Sequence, residues 1–182
     1  MVSGTRKQPD LNEGKVIYTF DQGLSRTEST MGMLGTTINV FHSSTSTSLT
    51  LFGIKNKHFA IKSDGAQETF GAAETTVLEE TKLICGYLCQ KAVIIRDVHT
   101  FTVWFTDQVQ GDPNGQEVFR GLELKGFPME ITSEVNGIVV HLVATEVSAD
   151  VPANAFSLSI PEGYELITKE EIPEKVIESA RE

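Results

Sequence analysis

Alternation of apolar and polar side chains is the main pattern along this chain. Lys15 to Asp21 sets Val16, Tyr18 and Phe20 on one face and Ile17 and Thr19 on the other, which predicts a first strand. Arg26 to Leu34 is a weaker extended segment ending at Gly35. Thr36 to Ser43 then carries Ile38 and Val40 on one side and Asn39 and Phe41 on the other, so a hairpin is expected. A Ser/Thr run from Ser43 to Ser48 precedes Leu49, Leu51, Phe52 and Ile54. The chain turns at Lys55-Asn56-Lys57 and returns through His58 to Ser63. Asp64 to Ala73, with Gly65 and Gly71, reads as a loop.

The pattern is strongest in the middle of the chain. Thr75 to Ile84 and Gln90 to Arg96 read as strands joined by a turn at Gly86-Tyr87. His99 to Asp107 alternates cleanly, with His99, Phe101, Val103 and Phe105 on one face and Thr100, Thr102, Trp104 and Thr106 on the other. Gln108 to Glu117 contains Gly111-Asp112-Pro113-Asn114-Gly115, a break in the pattern, and Glu117 to Leu124 reads as a short helical turn or an irregular crossing. Phe127 to Val135 and Ile138 to Val147 flank Asn136-Gly137, a strong hairpin signal. Val151 to Phe156 reads as a helical turn and Ser157 to Ile160 as a last extended piece. Thr168 with Glu171 three residues later forms a capping box for a C-terminal helix carrying Ile172, Val176 and Ile177, and Pro173 falls in its first turn.

Several strands carry apolar or aromatic side chains on both faces, while one convincing helix is available to cover a sheet. The expected fold is therefore mainly β: a strongly curved antiparallel sheet, an open half-barrel, with a C-terminal α-helix and short helical lids. Residues 14–182 form a single domain after a flexible polar lead at 1–13. Such a sheet would leave an apolar cleft walled by Phe101, Trp104, Phe105, Phe127 and Val140, of which alternation lets one parity of each strand face inward. The alternative for Trp104 is packing under a lid with no ligand.

Charge and chemistry narrow the function. The 182 residues carry 15 Lys plus Arg against 25 Asp plus Glu, a formal net charge of -10, which argues against nucleic acid as a partner. No run reaches the roughly 18 apolar residues of a transmembrane segment. Cys85 and Cys89, four apart around a turn, would lie opposite each other on paired strands. They read either as a short-loop disulfide or as two buried thiols. His42, His58, His99 and His141 fall on separate strands without metal-ligand spacing, so no metal is expected. Asp112, Asn114 and Gln116 lack the remainder of a calcium loop, and no glycine-rich phosphate cradle follows a strand, so no cofactor is expected. Asp97 and His99 share a strand face as an acid–imidazole pair, but no nucleophile elbow accompanies them.

The run Lys82-Leu-Ile-Cys-Gly-Tyr-Leu-Cys-Gln-Lys-Ala-Val, with Phe101-Thr-Val-Trp-Phe-Thr, Leu124-Lys-Gly-Phe-Pro-Met-Glu and Ile160-Pro-Glu-Gly-Tyr-Glu, resembles the uncharacterised exported bacterial proteins of the GLPGLI type and their relatives with a domain of unknown function. The family's glycine-leucine-proline-glycine block is present only as Lys125-Gly126-Phe127-Pro128. The resemblance implies a LolA-like, lipoprotein-carrier architecture, export to the periplasm or an outer-membrane surface, and an oxidising compartment for Cys85 and Cys89. Pattern and resemblance together lead to a non-enzymatic, envelope-associated binding module holding an apolar or amphipathic ligand, either a lipophilic small molecule or an envelope protein. The alternatives are a structural or protein-interaction component with a dry core, and a hydrolase using Asp97 and His99.

Overall fold

The computed structural model describes residues 14–31, 35–64, 73–111, 124–135 and 138–181. In chain order the elements are β1 (Gly14–Asp21), β2 (Leu24–Met31), β3 (Gly35–His42), β4 (Thr47–Ile54), β5 (Lys57–Asp64), β6 (Glu74–Ile84), β7 (Tyr87–Arg96), β8 (His99–Thr106), β9 (Phe127–Val135), β10 (Ile138–Val143), β11 (Tyr164–Leu166) and α1 (Ile172–Arg181). The protein is mainly β and largely antiparallel, with a C-terminal helix, as the alternation predicts. Among the described residues the strands are shared between two sheets, ordered β1-β2-β3-β4-β5-β11 and β10-β9-β8-β7-β6, and neither closes into a barrel. The described residues fall into two compact units, those within 14–19, 24–64 and 154–181 forming one and those within 20–23 and 73–153 the other. The expected polar lead at 1–13, the loop residues 65–72, the Asp112 to Gln116 loop, the crossing at 117–123 and the Asn136-Gly137 turn lie outside the described residues.

In the first unit, β2 to β5 pair in unbroken antiparallel registers. Period-two alternation puts Val40, Leu49, Leu51 and Ala60 on one face, where Phe156, Leu158, Ile160 and Tyr164 pack over them. Ser157 to Ile160 is therefore a covering strip rather than a strand. Its even positions point at the sheet, and His42 Nε2 fixes its start through a 2.7 Å hydrogen bond with the Phe156 carbonyl. The opposite face carries Phe59 and Ile61, packed with Ile167 and Ile172. Phe59, Ala60 and Ile61 are thus buried in succession, because β5 is covered on both sides. Past the strip, β11 adds to β5 in parallel, an element the sequence pattern does not signal. The capping box forms on one side: the Thr168 N–H donates to the Glu171 carboxylate at 2.7 Å, and a tight turn leads into α1 with Pro173 near its start.

In the second unit, β6 and β7 form a hairpin whose two turn residues are Cys85 and Gly86, one step earlier than the expected Gly86-Tyr87. Both have left-handed backbone (φ 50° and 82°), which a two-residue type I′ turn requires. The β6–β7 register slips between Val77 and Thr81, and a second slip in the β8–β9 pairing falls between Trp104 and Phe105. One face of this sheet carries Ala92, Ile94, Val103, Phe105 and Ile131. A second cluster of Ile84, Cys89 and Met129 gathers Tyr87, Trp104, Val109, Phe127 and Ala144. β10 ends at Val143, and residues 144–153 continue as irregular chain, with the Ala144 N–H donating to the Met129 carbonyl at 2.7 Å.

Candidate functional site

Strand parity divides the five residues expected to wall a single cleft. Phe101 and Phe105 stand with the Ala92–Ile94 cluster. Val140 pairs with Ser133, which pairs with Phe101, so it shares their face, half-exposed at the β10 edge. Trp104 and Phe127 belong instead to the cluster around Cys89 and Met129. The aromatic residues are therefore split between two environments on the same sheet.

Around Trp104 the sheet builds a charged strip. Lys91 and Glu130 are its direct cross-strand partners. Lys82 places its ammonium 4.3 Å from the indole centroid and donates to Glu130 Oε2 at 2.6 Å, while His141 Nε2 lies 3.3 Å from Glu130 Oε1. Lys91 sits 5.7 Å from the same ring and binds the Glu80 carboxylate at 2.9 and 3.0 Å. Partial burial pushes the Glu130 carboxyl upward, but the hydrogen bond and charge of Lys82, followed by His141, outweigh it and hold the group below the usual carboxylate range. With an ammonium over its ring and a packed cluster beside it, Trp104 is held by its neighbours.

On the other face, at the β6 edge, is a cleft of about 620 Å³. Direct pairings bring Thr81 and Phe105 against Gln90, Val77 against Ala92 and Thr75 against Ile94, so one face supplies the cleft. Leu88, Thr106, Asp107 and Lys125 complete its lining. Two features distinguish it from an ordinary surface dent. Val77 and Leu88 are 50% and 54% exposed, and the buried Thr75 Oγ1 has no hydrogen-bond partner among the described residues. The register slip that shapes the wall is held by Gln90, whose Nε2 donates to the Leu78 carbonyl at 2.9 Å. Sequence alternation places these residues on strands, but it does not reveal the slip that turns their row into a concavity.

The cysteines are not opposed. Cys89 pairs with Lys82, while Cys85 occupies the turn, and both are free thiols. Cys89 is fully buried, and burial pushes its thiol pKa up. Cys85 is exposed and its Sγ lies 3.1 Å from the Ala144 carbonyl. Asp97 does not share a strand face with His99: it lies in the β7–β8 turn with φ 53°, and His99 opens β8 opposite Arg96.

The fold and its cleft define a mainly antiparallel β-sheet module. Residues 26–155 match the family model described as N-glycanase peptide, N-terminal domain, of the PNGase F-II type, and the chain belongs to that family. Its structure is similar to that of PNGF-II in the P21 space group, at TM-score 0.54 and 16% identity over 92% of this chain and 30% of that one. A second PNGF-II structure, in the C2 space group, gives TM-score 0.48 and 17% identity over 91% and 33%. The chain thus spans about a third of the length of these proteins. No curated protein matches it. Family membership overturns the resemblance to GLPGLI-type proteins and with it the LolA-like, lipoprotein-carrier architecture. The residues behind that resemblance have local reasons: Gly86 serves the turn, Cys89 fills a core, and Lys82 and Lys91 pair with Glu130 and Glu80. Among the described residues no helix is long and apolar enough to cross a membrane.

Proposed function

We propose that this chain is the non-enzymatic N-terminal module of an N-glycanase-type protein, and that it binds an amphipathic part of that protein's glycopeptide substrate. The observation that carries the reading is the family match over residues 26–155 in a chain about a third as long as PNGF-II. The cleft on the second sheet supports it, because solvent-exposed Val77 and Leu88 beside threonine hydroxyls suit a ligand with both apolar and polar surface. An envelope or extracellular location belongs to the same proposal, and fractionation of the native cell would test it.

The test is to incubate the purified chain with an N-glycosylated peptide and follow binding by calorimetry and glycan release by mass spectrometry. Binding without release is the expected result. Release of glycan would overturn the non-enzymatic assignment, and absence of binding would overturn the substrate-binding assignment.

A second reading, as a docking component, is favoured by a separate feature. Val139, Val143, Val147 and Val151 are all exposed along β10 and the chain that follows it, which suits burial against another part of a longer protein. In that case Val143→Asp would leave glycopeptide binding intact and weaken association with the remainder of the longer protein.

A further inference from the structure

We infer that the pocket between the β4–β5 turn and the last turn of α1, lined by Ile54, Lys55, Asn56, Lys57 and Ser179, binds a tetrahedral oxyanion of the phosphate or sulfate type. All five residues belong to the first unit, so this site stands or falls independently of any substrate held by the second.

The strand register puts Ile54 opposite Lys57, so Lys55 and Asn56 form a two-residue hairpin loop, with Lys55 in left-handed backbone at φ 53°. Two ammonium groups and a side-chain amide thus occupy three consecutive positions. Ile172 at the start of α1 packs with Phe59, Ile61 and Ile167, which docks the helix on the sheet that carries this loop. Ser179 from the other end of α1 completes the lining. It is 2% exposed, and its Oγ has no hydrogen-bond partner among the described residues. A serine within a helix ordinarily points to solvent or returns its hydroxyl to the preceding turn, and buried hydroxyls nearly always have a partner. The pocket volume of about 120 Å³ is short of the roughly 300 Å³ at which drug-sized ligands are held. It exceeds the roughly 30 Å³ share of one water, so it suits a single group of a few heavy atoms.

The lining selects the charge of the occupant. No carboxylate is part of it, so it offers no anionic ligand to a cation. Lys55 forms no ion pair among the described residues, whereas Lys175 on α1 is taken by Glu165 at 2.8 Å. Lys57 has an interaction of its own, so Lys55 is the cation on which the site depends. Ammonium, amide nitrogen and hydroxyl are all donors. A tetrahedral oxyanion accepts from several directions at once, while the two oxygens of a carboxylate lie in one plane. Water would satisfy the Ser179 hydroxyl but bring no charge to the ammonium groups. The dipole of α1 opposes an anion at this end, yet it is equivalent to only about half a negative charge, against two lysines in the lining. The formal charge of -10 is spread over the whole chain, and exposed charges are screened beyond roughly 8 Å at physiological ionic strength.

The experiment is an amide NMR titration of the 182-residue chain with sodium phosphate, sodium sulfate and sodium acetate, the ionic strength being held constant with sodium chloride. Phosphate and sulfate should give saturable shifts at residues 54–57 and 179, and acetate should bind about tenfold more weakly. Lys55→Met should weaken phosphate binding by about tenfold and Ser179→Ala by about threefold, the losses expected for a charged and a neutral hydrogen bond. Lys91→Met, in the second unit, should change it less than about twofold. Without phosphate, Ser179→Ala should melt no lower than the parent, because its hydroxyl gives up no partner. Glycerol 2-phosphate separates the two sources of such a group. Binding equal to that of inorganic phosphate assigns the site to a phosphate carried on a larger molecule, and binding weaker by about tenfold or more assigns it to the free ion. Absence of saturable shifts at 54–57 and 179 overturns the site, and unchanged phosphate binding in Lys55→Met overturns its location. Equally tight binding of acetate overturns the tetrahedral assignment. If Lys55→Met melts lower while phosphate shifts nothing, Lys55 serves the last carbonyls of α1 and the inference fails.

Discussion

Gly126 is fixed by its neighbours. A Cβ built on it would lie 2.5 Å from the Thr106 carbonyl oxygen and 2.8 Å from its carbon, both backbone atoms that cannot turn aside. Gly126→Ala should therefore push β8 and β9 apart beside Phe105 at the cleft, lowering stability by about 1–3 kcal/mol in denaturant titration. Glu130 gives a second prediction at this scale. Its folded pKa is lowered by Lys82 and then His141, against the effect of burial. The stabilisation is therefore present above the unfolded value of 4.5 and is lost as pH falls through the lower folded value. Glu130→Gln should be less stable than the parent at neutral pH, by about 1 kcal/mol or less for a partly exposed pair. The two proteins should converge in acid, once the parent's carboxylate is protonated as well, and melting curves across pH would show it. Residue identities were legible in the sequence here, but their partners were not: no local pattern joins Lys82 to Glu130, 48 positions away.

At the scale of elements, β1 to β9 were legible because each runs eight or more residues, long enough for a period-two pattern to show, as in β8 from His99 to Thr106. Features shorter than a full alternation were not. The three residues of β11 give no periodic signal, and they are held in parallel beside β5 by the covering strip before them. The β6–β7 hairpin shows the same limit. Cys85 and Cys89 are four apart, and an assumed turn one step later makes them cross-strand partners. The actual turn uses Cys85 itself, because Gly86 supplies the left-handed position that follows it. One thiol is thus exposed at the turn and the other lies in a core with its pKa raised by burial. A thiol reagent at neutral pH should modify Cys85 alone in the native chain and both cysteines in denaturant. Rapid modification of both in the native chain would contradict the buried position of Cys89. Cys85→Ser should abolish the native reaction with little loss of stability, since that side chain is exposed.

For the whole molecule, the apolar content of the strands was legible and which of their faces are covered was not. Phe59, Ala60 and Ile61 are buried in succession because β5 is covered on both sides, whereas β10, expected from its apolar side chains on both faces to be covered on each side, leaves Val139, Val140 and Val143 exposed. In the first unit that cover comes from Phe156 to Tyr164 on one side and from Ile167 and Ile172 on the other. Hydropathy states that a face must be buried but does not name what buries it, so a single curled sheet and two sheets satisfy the same pattern. Net charge is legible at once, and it carries a prediction at this scale. At -10 the chain surrounds any bound ligand with a negative field. A glycopeptide bearing sialic acid should therefore bind more weakly than its desialylated form at low ionic strength. The gap should narrow as salt rises from about 20 mM to about 500 mM, where the screening length falls to a few ångströms. A gap that persists unchanged at high salt would mean that the sialic acid is rejected by direct contact in the site. A preference for the sialylated form would require a cationic locus strong enough to outweigh the whole-chain field, and the cleft lining, with one Lys125 and one Asp107, carries no net formal charge to supply one.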